Sequence, residues 1–140
     1  MSKANEILTE LMTRLNGVNN TRVEQGFYAT YQDENLDSKR LLVIQVRSDG
    51  PCVHNAGGYK STLNVLVFGA IEFNEQANEL LRELLQATRQ AIFPKGERFI
   101  FKRLASAVKE TEPTPLQDPK EGQDNAYFIL PLAFEYQETN

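Results

Sequence analysis

The residue types best suited to nucleophilic or metal chemistry stand together once in the chain, at Cys52 and His54. They are the only cysteine and the only histidine among the 140 residues. A closed zinc site needs about four ligands, usually Cys or His. A nucleophilic Cys–His pair also needs an orienting group and an oxyanion site. We therefore interpret both as ordinary loop residues and predict no metal ion, no cofactor and no catalytic residue.

Two other patterns resemble catalytic motifs only superficially. Gly57-Gly58 precedes Tyr-Lys-Ser, but it lacks the spacing of a phosphate-binding loop and leads into a strand instead of a helix. Most other candidates are carboxylates in the polar stretches 33–37 and 110–124. Burial is not expected to raise their pKa values there, so they are poorly suited to acid–base catalysis. The sequence favours an assembly protein over an enzyme.

A short basic and aromatic segment, RFIFKR at 98–103, is compatible with stacking on single-stranded nucleic acid. The same texture is typical of a strand with an apolar inner face and a charged outer face. The chain holds 15 basic and 19 acidic residues, a formal net charge of −4. That balance disfavours a general attraction to phosphate backbones. We therefore predict a strand in this segment.

Composition indicates a single intracellular globular domain over residues 1–140. Hydrophobic residues make up 41% of the chain and charged residues 24%, as in ordinary globular proteins. One cysteine cannot form an intramolecular disulfide, which suggests a reducing compartment. No apolar run reaches the roughly 20 residues of a membrane span, and the N-terminus lacks the apolar core of a signal peptide.

Hydrophobic periodicity predicts seven elements in the order α-β-β-β-α-β-β. Three- and four-residue spacings predict helices over 2–16 and 74–93, the second capped by Asn74. Alternation with a period of two predicts strands over 23–32, 39–47, 61–73, 98–108 and 126–137. Breaker residues predict loops over 48–60 and 109–125, the latter polar and mobile. Strands in blocks indicate an α+β fold, a mostly antiparallel sheet packed against two helices.

The last two strands carry the interface predictions. Pro131 cannot donate a ladder hydrogen bond, so its strand is expected at a sheet edge or beside a bulge. Residues 98–137 are predicted to form a long hairpin arm whose tip and outer face touch a partner. Strand 61–73 is apolar on both faces, so helices or another subunit must cover each one. The candidate subunit or tube interface residues are Leu66, Phe68, Phe99, Phe101, Tyr127 and Ile129.

Three segments together resemble the tail terminator proteins of long-tailed bacteriophages. They are helix ANEILTELMTRL before strand VEQGFYATY, strand LNVLVFGAIEF running into helix NEQANELLRELLQATRQAIF, and closing strand AYFILPLAFEYQ. The resemblance covers nearly the whole chain. It implies a mixed α/β protomer that forms a hexameric ring on the end of the tail tube. Such a ring stops tube polymerisation and provides the docking surface for the head and neck.

The resemblance also implies partners and a location. The partners are further copies of the chain, the tail tube protein and a head-side neck or connector protein. DNA passes through the lumen without sequence-specific binding, and no membrane is involved. The location is the host cytoplasm during assembly and then the virion tail. Two alternatives stay open: a head–tail joining protein, or a small cytoplasmic protein-binding module.

Overall fold

The structure, a computed structural model, describes residues 2–139, which form two helices and a seven-stranded sheet. The helices are α1 (Lys3–Leu15) and α2 (Ala77–Ile92). The strands are β1 (Thr21–Gln25), β2 (Arg40–Asp49), β3 (Val53–Asn55), β4 (Gly58–Glu72), β5 (Ala107–Glu110), β6 (Leu116–Gln117) and β7 (Asn125–Thr139). The predicted α+β class and the order of the main elements are confirmed, with β3 and β6 as additional short strands. No helix in the described part of the chain is long and apolar enough to cross a membrane.

The long strands β4 and β7 form the centre of the sheet. They pair along their whole length, from Gly58 opposite Thr139 to Glu72 opposite Asn125. The sheet order is β1-β2-β4-β7-β5, with β3 beside β4 and β6 beside β7. Among the described strands, only β1 and β2 pair in parallel; the other pairs are antiparallel, as predicted. We call the end at Gly58 and Thr139 the hairpin end, and the end at Glu72 and Asn125 the loop end.

Both helices contribute to one core against the sheet. Leu84 of α2 is fully buried there with Ile7 and Leu11 of α1. The second helix begins after Gln76, slightly later than predicted. The Asn74 side chain instead accepts a hydrogen bond of 2.8 Å from the Gln76 N–H. Asn74 thus shapes the turn before the helix, because two further residues separate it from the first helical turn.

The other face of the sheet is covered by the chain itself. The ring of Tyr28 stacks on Phe68 with centroids 4.5 Å apart, and Leu36 packs into the same cluster. The predicted strand 23–32 is therefore wrong beyond Gln25. The chain turns at Gly26 and makes a short 3-10 turn over Tyr28–Thr30, which carries the Tyr28 ring onto the sheet.

The predicted loop 48–60 is largely a β-hairpin. Strand β2 continues to Asp49, and β3 pairs with the first residues of β4. Hydrogen bonds close its base, because the Ser61 and Tyr136 hydroxyls each donate to the Asp49 carboxylate at 2.8 Å. The Asp-Gly-Pro breaker interrupts the regular pairing with β4 over residues 50–52, and the Gly-Gly breaker lies at the tip.

The predicted hairpin arm over 98–137 is also wrong. Strand β5 covers only Ala107–Glu110, and β6 ties the polar segment 109–125 to β7. Pro131 lies in a central strand, where its carbonyl accepts a hydrogen bond of 3.1 Å from the Thr111 N–H. In a strand, the nitrogen and carbonyl of one residue face the same neighbour. The proline nitrogen therefore faces the gap between β5 and β6, where no ladder bond is required.

Candidate protein interaction surface

The segment between α2 and β5 contains a turn with unusual backbone geometry. Phe101, Lys102 and Arg103 have φ angles of 43°, 53° and 65°. Residues with a Cβ rarely adopt this left-handed region, and each such position costs on the order of 1–3 kcal/mol. Three in succession persist only if the surroundings fix them. Strain of this kind concentrates at functional sites.

Phe101 anchors the turn in the core. Its side chain is buried and meets the ring of Phe134 edge to face, with centroids 5.0 Å apart. The guanidinium carbon of Arg14 lies 4.2 Å from the Phe101 centroid. Aromatic packing and a cation over the ring face both favour this position of the ring.

Arg14 connects the turn to both helices. Its Nε donates to Glu10 at 2.8 Å, and its Nη1 donates at 2.7 Å to the carbonyl of Ile92 at the end of α2. Both terminal nitrogens also bind the Glu97 carboxylate. Lys102 completes the network with an ion pair of 3.2 Å to Glu10. Since the Arg14 side chain is only 9% exposed, this network is a structural support of the turn.

The network lowers the pKa values of its two carboxyl groups. Burial alone would raise the pKa of Glu10, but hydrogen bonds from Arg14 and Lys102 outweigh this effect. The pKa of Glu97 is lowered chiefly by its hydrogen bond from Arg14. Both groups are therefore held in the charged form that the guanidinium requires.

The anchored turn displays two large apolar side chains next to cations. Phe99 is 42% exposed and Ile100 is 53% exposed, although both immediately precede the buried Phe101. The Arg103 guanidinium lies 3.8 Å from the Phe99 centroid, and that of Arg98 lies 5.3 Å from it. We call these four residues the knob. Apolar and cationic groups at one place suit a partner surface that is apolar and acidic.

The structure places the six predicted interface residues in different environments. Phe68, Phe101 and Tyr127 are buried within the chain, so their assignment to an interface is wrong. Leu66 and Ile129 are half-buried beside the Tyr28 cluster. Only Phe99 is well exposed. The prediction assumed that strands 61–73 and 126–137 have an open outer face, but segment 26–39 covers that face. It also assumed a strand over 98–108, where the structure instead has a left-handed turn.

Neither the exposed Ile100 nor the supporting role of Arg14 was predicted from the sequence. The Glu10–Arg14 spacing predicts their helical ion pair, but nothing local in the sequence connects Arg14 with Glu97. Ile100 lies in the basic and aromatic segment, and only the turn geometry distinguishes it from the buried Phe101.

Cys52 is exposed just before β3, and His54 is exposed within it. The His54 ring lies 5.6 Å from the Tyr59 ring, a contact between neighbouring strands. Among residues 2–139, no group of three or more His, Cys, Asp or Glu side chains is placed to hold a metal ion. The segment 48–60 thus has the geometry of an exposed hairpin.

A second surface lies at the loop end of the sheet. Phe73 follows β4 and is 55% exposed beside a cleft that also contains Asp33, Glu72 and Asp124. The Glu72 carboxylate accepts a hydrogen bond of 3.0 Å from the Ser38 N–H, whereas Asp33 and Asp124 are exposed. No Lys or Arg of the described chain lines this cleft. We call these four residues the acidic cleft.

No protein-family model matches the chain, and no curated protein matches it.

Proposed function

We propose that the protein is a structural virion assembly protein of the tail terminator type. It forms a ring on the end of the phage tail tube, stops tube polymerisation and provides the docking surface for the head and neck. It performs no catalysis and needs no cofactor. Assembly takes place in the host cytoplasm, and the ring remains in the virion tail.

The knob is the observation that carries this proposal. Two large apolar side chains are displayed by a strained turn that a buried Arg14 network holds in place. Isolated exposed apolar side chains are common on protein surfaces. A displayed pair with flanking arginines on a rigid support has the composition of a binding hot spot, where aromatic and arginine side chains contribute most. Protein–protein contact is the use that this arrangement supports best.

The arrangement of the elements supports the same proposal. Helix α1 leads into β1, which is shorter than the resemblance implies, β4 leads into α2 across a short turn, and β7 follows the polar segment. These are the three segments on which the resemblance to tail terminators depends. The mild net charge of −4 suits a channel through which DNA slides without adhering.

Negative-stain electron microscopy tests the proposal. The purified protein is imaged alone and mixed with tail tubes that lack their terminal ring. We expect rings of uniform diameter with a central opening, and one ring on one end of each tube. Fields without rings, together with tubes that continue to grow from both ends, would contradict the assignment and favour a small protein-binding module.

A further inference from the structure

We infer that the knob of one copy docks into the acidic cleft of the next copy. This inference rests on the proposed ring, and it specifies the surfaces that close it. A head-to-tail ring requires two different and complementary surfaces on each subunit. The chain offers two such surfaces, each with exposed apolar side chains and each with one predominant sign of charge.

The two surfaces lie far apart along the same strand pair. The knob borders a groove that includes Gln137 near the hairpin end, whereas the acidic cleft includes Asn125 at the loop end. The two positions are twelve residue steps apart along β7, which corresponds to about 40 Å at a rise of about 3.4 Å per residue. One copy can therefore bind a neighbour at each end simultaneously, as a ring requires.

Charge complementarity identifies the occupant. Lys3 lines the knob groove together with Arg98 and Arg103, and no carboxylate lines it within the described chain. The cleft has the opposite arrangement, with Asp33, Glu72 and Asp124 and no cation in its lining. Opposed potentials of this kind select the partner and fix the orientation of an interface.

Apolar contact would provide the remaining attraction. Phe73 stands exposed at the cleft, and Phe99 and Ile100 stand exposed at the knob. Docking would remove these side chains from water, with the charged pairs at the rim of the contact. In a closed ring each copy makes two such contacts, so each one can be modest and still hold the assembly.

A nucleic-acid partner fits the knob less well than a second copy does. Base stacking requires a free aromatic face, but the Arg103 guanidinium already lies 3.8 Å from the Phe99 centroid. The formal net charge of −4 would also repel a polyanion over most of the surface.

Charge reversal of each surface tests the contact. The first variant is Arg98→Glu with Arg103→Glu, and the second is Asp33→Arg with Asp124→Arg. All four side chains are exposed, so both variants should fold, and a thermal melt of each variant checks this. The matched control reverses two exposed arginines elsewhere, Arg47→Glu with Arg82→Glu. The mass of each protein is measured in solution, alone and in an equimolar mixture of the first two variants.

We expect each surface variant alone to have the monomer mass of 15.9 kDa. Their mixture should recover the wild-type oligomer. The reversed, acidic knob of the first variant then meets the reversed, basic cleft of the second, and the native knob of the second meets the native cleft of the first. The control should stay oligomeric. If the wild type is oligomeric and both surface variants remain assembled, the inferred contact is overturned. The proposed ring itself is not affected by that result.

Three other results would also overturn the inference. Dissociation of the control would show that net charge, and not these surfaces, governs assembly. Loss of binding to a single-stranded oligonucleotide in the knob variant, with assembly unchanged, would assign the knob to nucleic acid. A wild type that is monomeric at every concentration would overturn the proposed ring as well.

Discussion

The guanidinium carbon of Arg14 lies 4.2 Å from the centroid of the Phe101 ring, in a position where it also binds Glu10, Glu97 and the end of α2. One side chain of the first helix thus fixes the end of the second helix and the left-handed turn that follows. The ring it covers is buried, and the two residues before that ring are exposed. The knob therefore depends on a contact between residues 87 positions apart.

Replacement of Arg14 by Ala should destabilise the fold. The change leaves Glu10 and Glu97 without the guanidinium and removes a donor from the Ile92 carbonyl. Loss of one partner of a mostly buried ionic network should lower the free energy of unfolding by about 2–4 kcal/mol. Urea denaturation measures this value, with the exposed Arg82→Ala as the control. A loss below about 0.5 kcal/mol, as at an ordinary surface site, would show that Arg14 does not support the turn.

The same network should make stability depend on acid pH. The pKa values of Glu10 and Glu97 are lowered in the folded chain, so the unfolded chain takes up protons first as the pH falls. The contribution of these two carboxylates to the free energy of unfolding is therefore fully present above the ordinary glutamate pKa of about 4.3. It is lost as the pH falls through their lower pKa values in the folded chain. The melting temperature of Glu97→Gln should lie below that of the wild type at neutral pH, and the gap should narrow in strong acid. An equal gap at both pH values would argue against a charged role for Glu97.

A substitution at Leu84 in the main core should destabilise the fold. This side chain of α2 is fully buried against the sheet. Replacement by Ala removes apolar contact and leaves a cavity, which should cost about 2–5 kcal/mol in a denaturation experiment. The exposed Gln86→Ala on the same helix is the control and should stay within about 0.5 kcal/mol of the wild type. Equal effects at the two positions would place Leu84 outside the core.

The second face of the sheet should behave as core and not as interface. Phe68 is only 8% exposed and stacks on Tyr28 with an interplanar angle of 2°. Phe68→Ala should cost about 3–5 kcal/mol of unfolding free energy. Phe27→Ala provides the comparison, because Phe27 is 69% exposed one residue before Tyr28. If Phe68→Ala melts as the wild type does but fails to assemble, Phe68 belongs to an interface after all.

The longest elements could be predicted because their hydrophobic periodicity persists over many residues. Leu80, Leu81, Leu84 and Leu85 fix the buried side of α2, and the alternation in β4 and β7 fixes their inner face. These patterns were sufficient for the α+β class and the mostly antiparallel sheet. Strand β3 was hidden by Gly and Pro residues, which interrupt the regular pairing with β4 over residues 50–52 before it resumes at Val53.

The knob could not be predicted because its geometry is set by distant contacts. The segment 98–103 alternates well enough for a strand, yet only Phe101 reaches the core. Its left-handed backbone opposes the local preference of Phe, Lys and Arg and is supported by Arg14 and Phe134. Likewise, the wide spacing of Tyr28 and Leu36 does not predict that their segment covers the sheet.

The most direct test of the proposed ring is the mass of the wild-type protein in solution over about a hundredfold range of concentration. Light scattering after size exclusion gives this mass without assumptions about shape. A ring of six copies of the 15.9 kDa chain predicts one species of about 95 kDa that does not grow further as the concentration rises. A mass of 15.9 kDa at every concentration, or a mass that increases without limit, would contradict a closed ring.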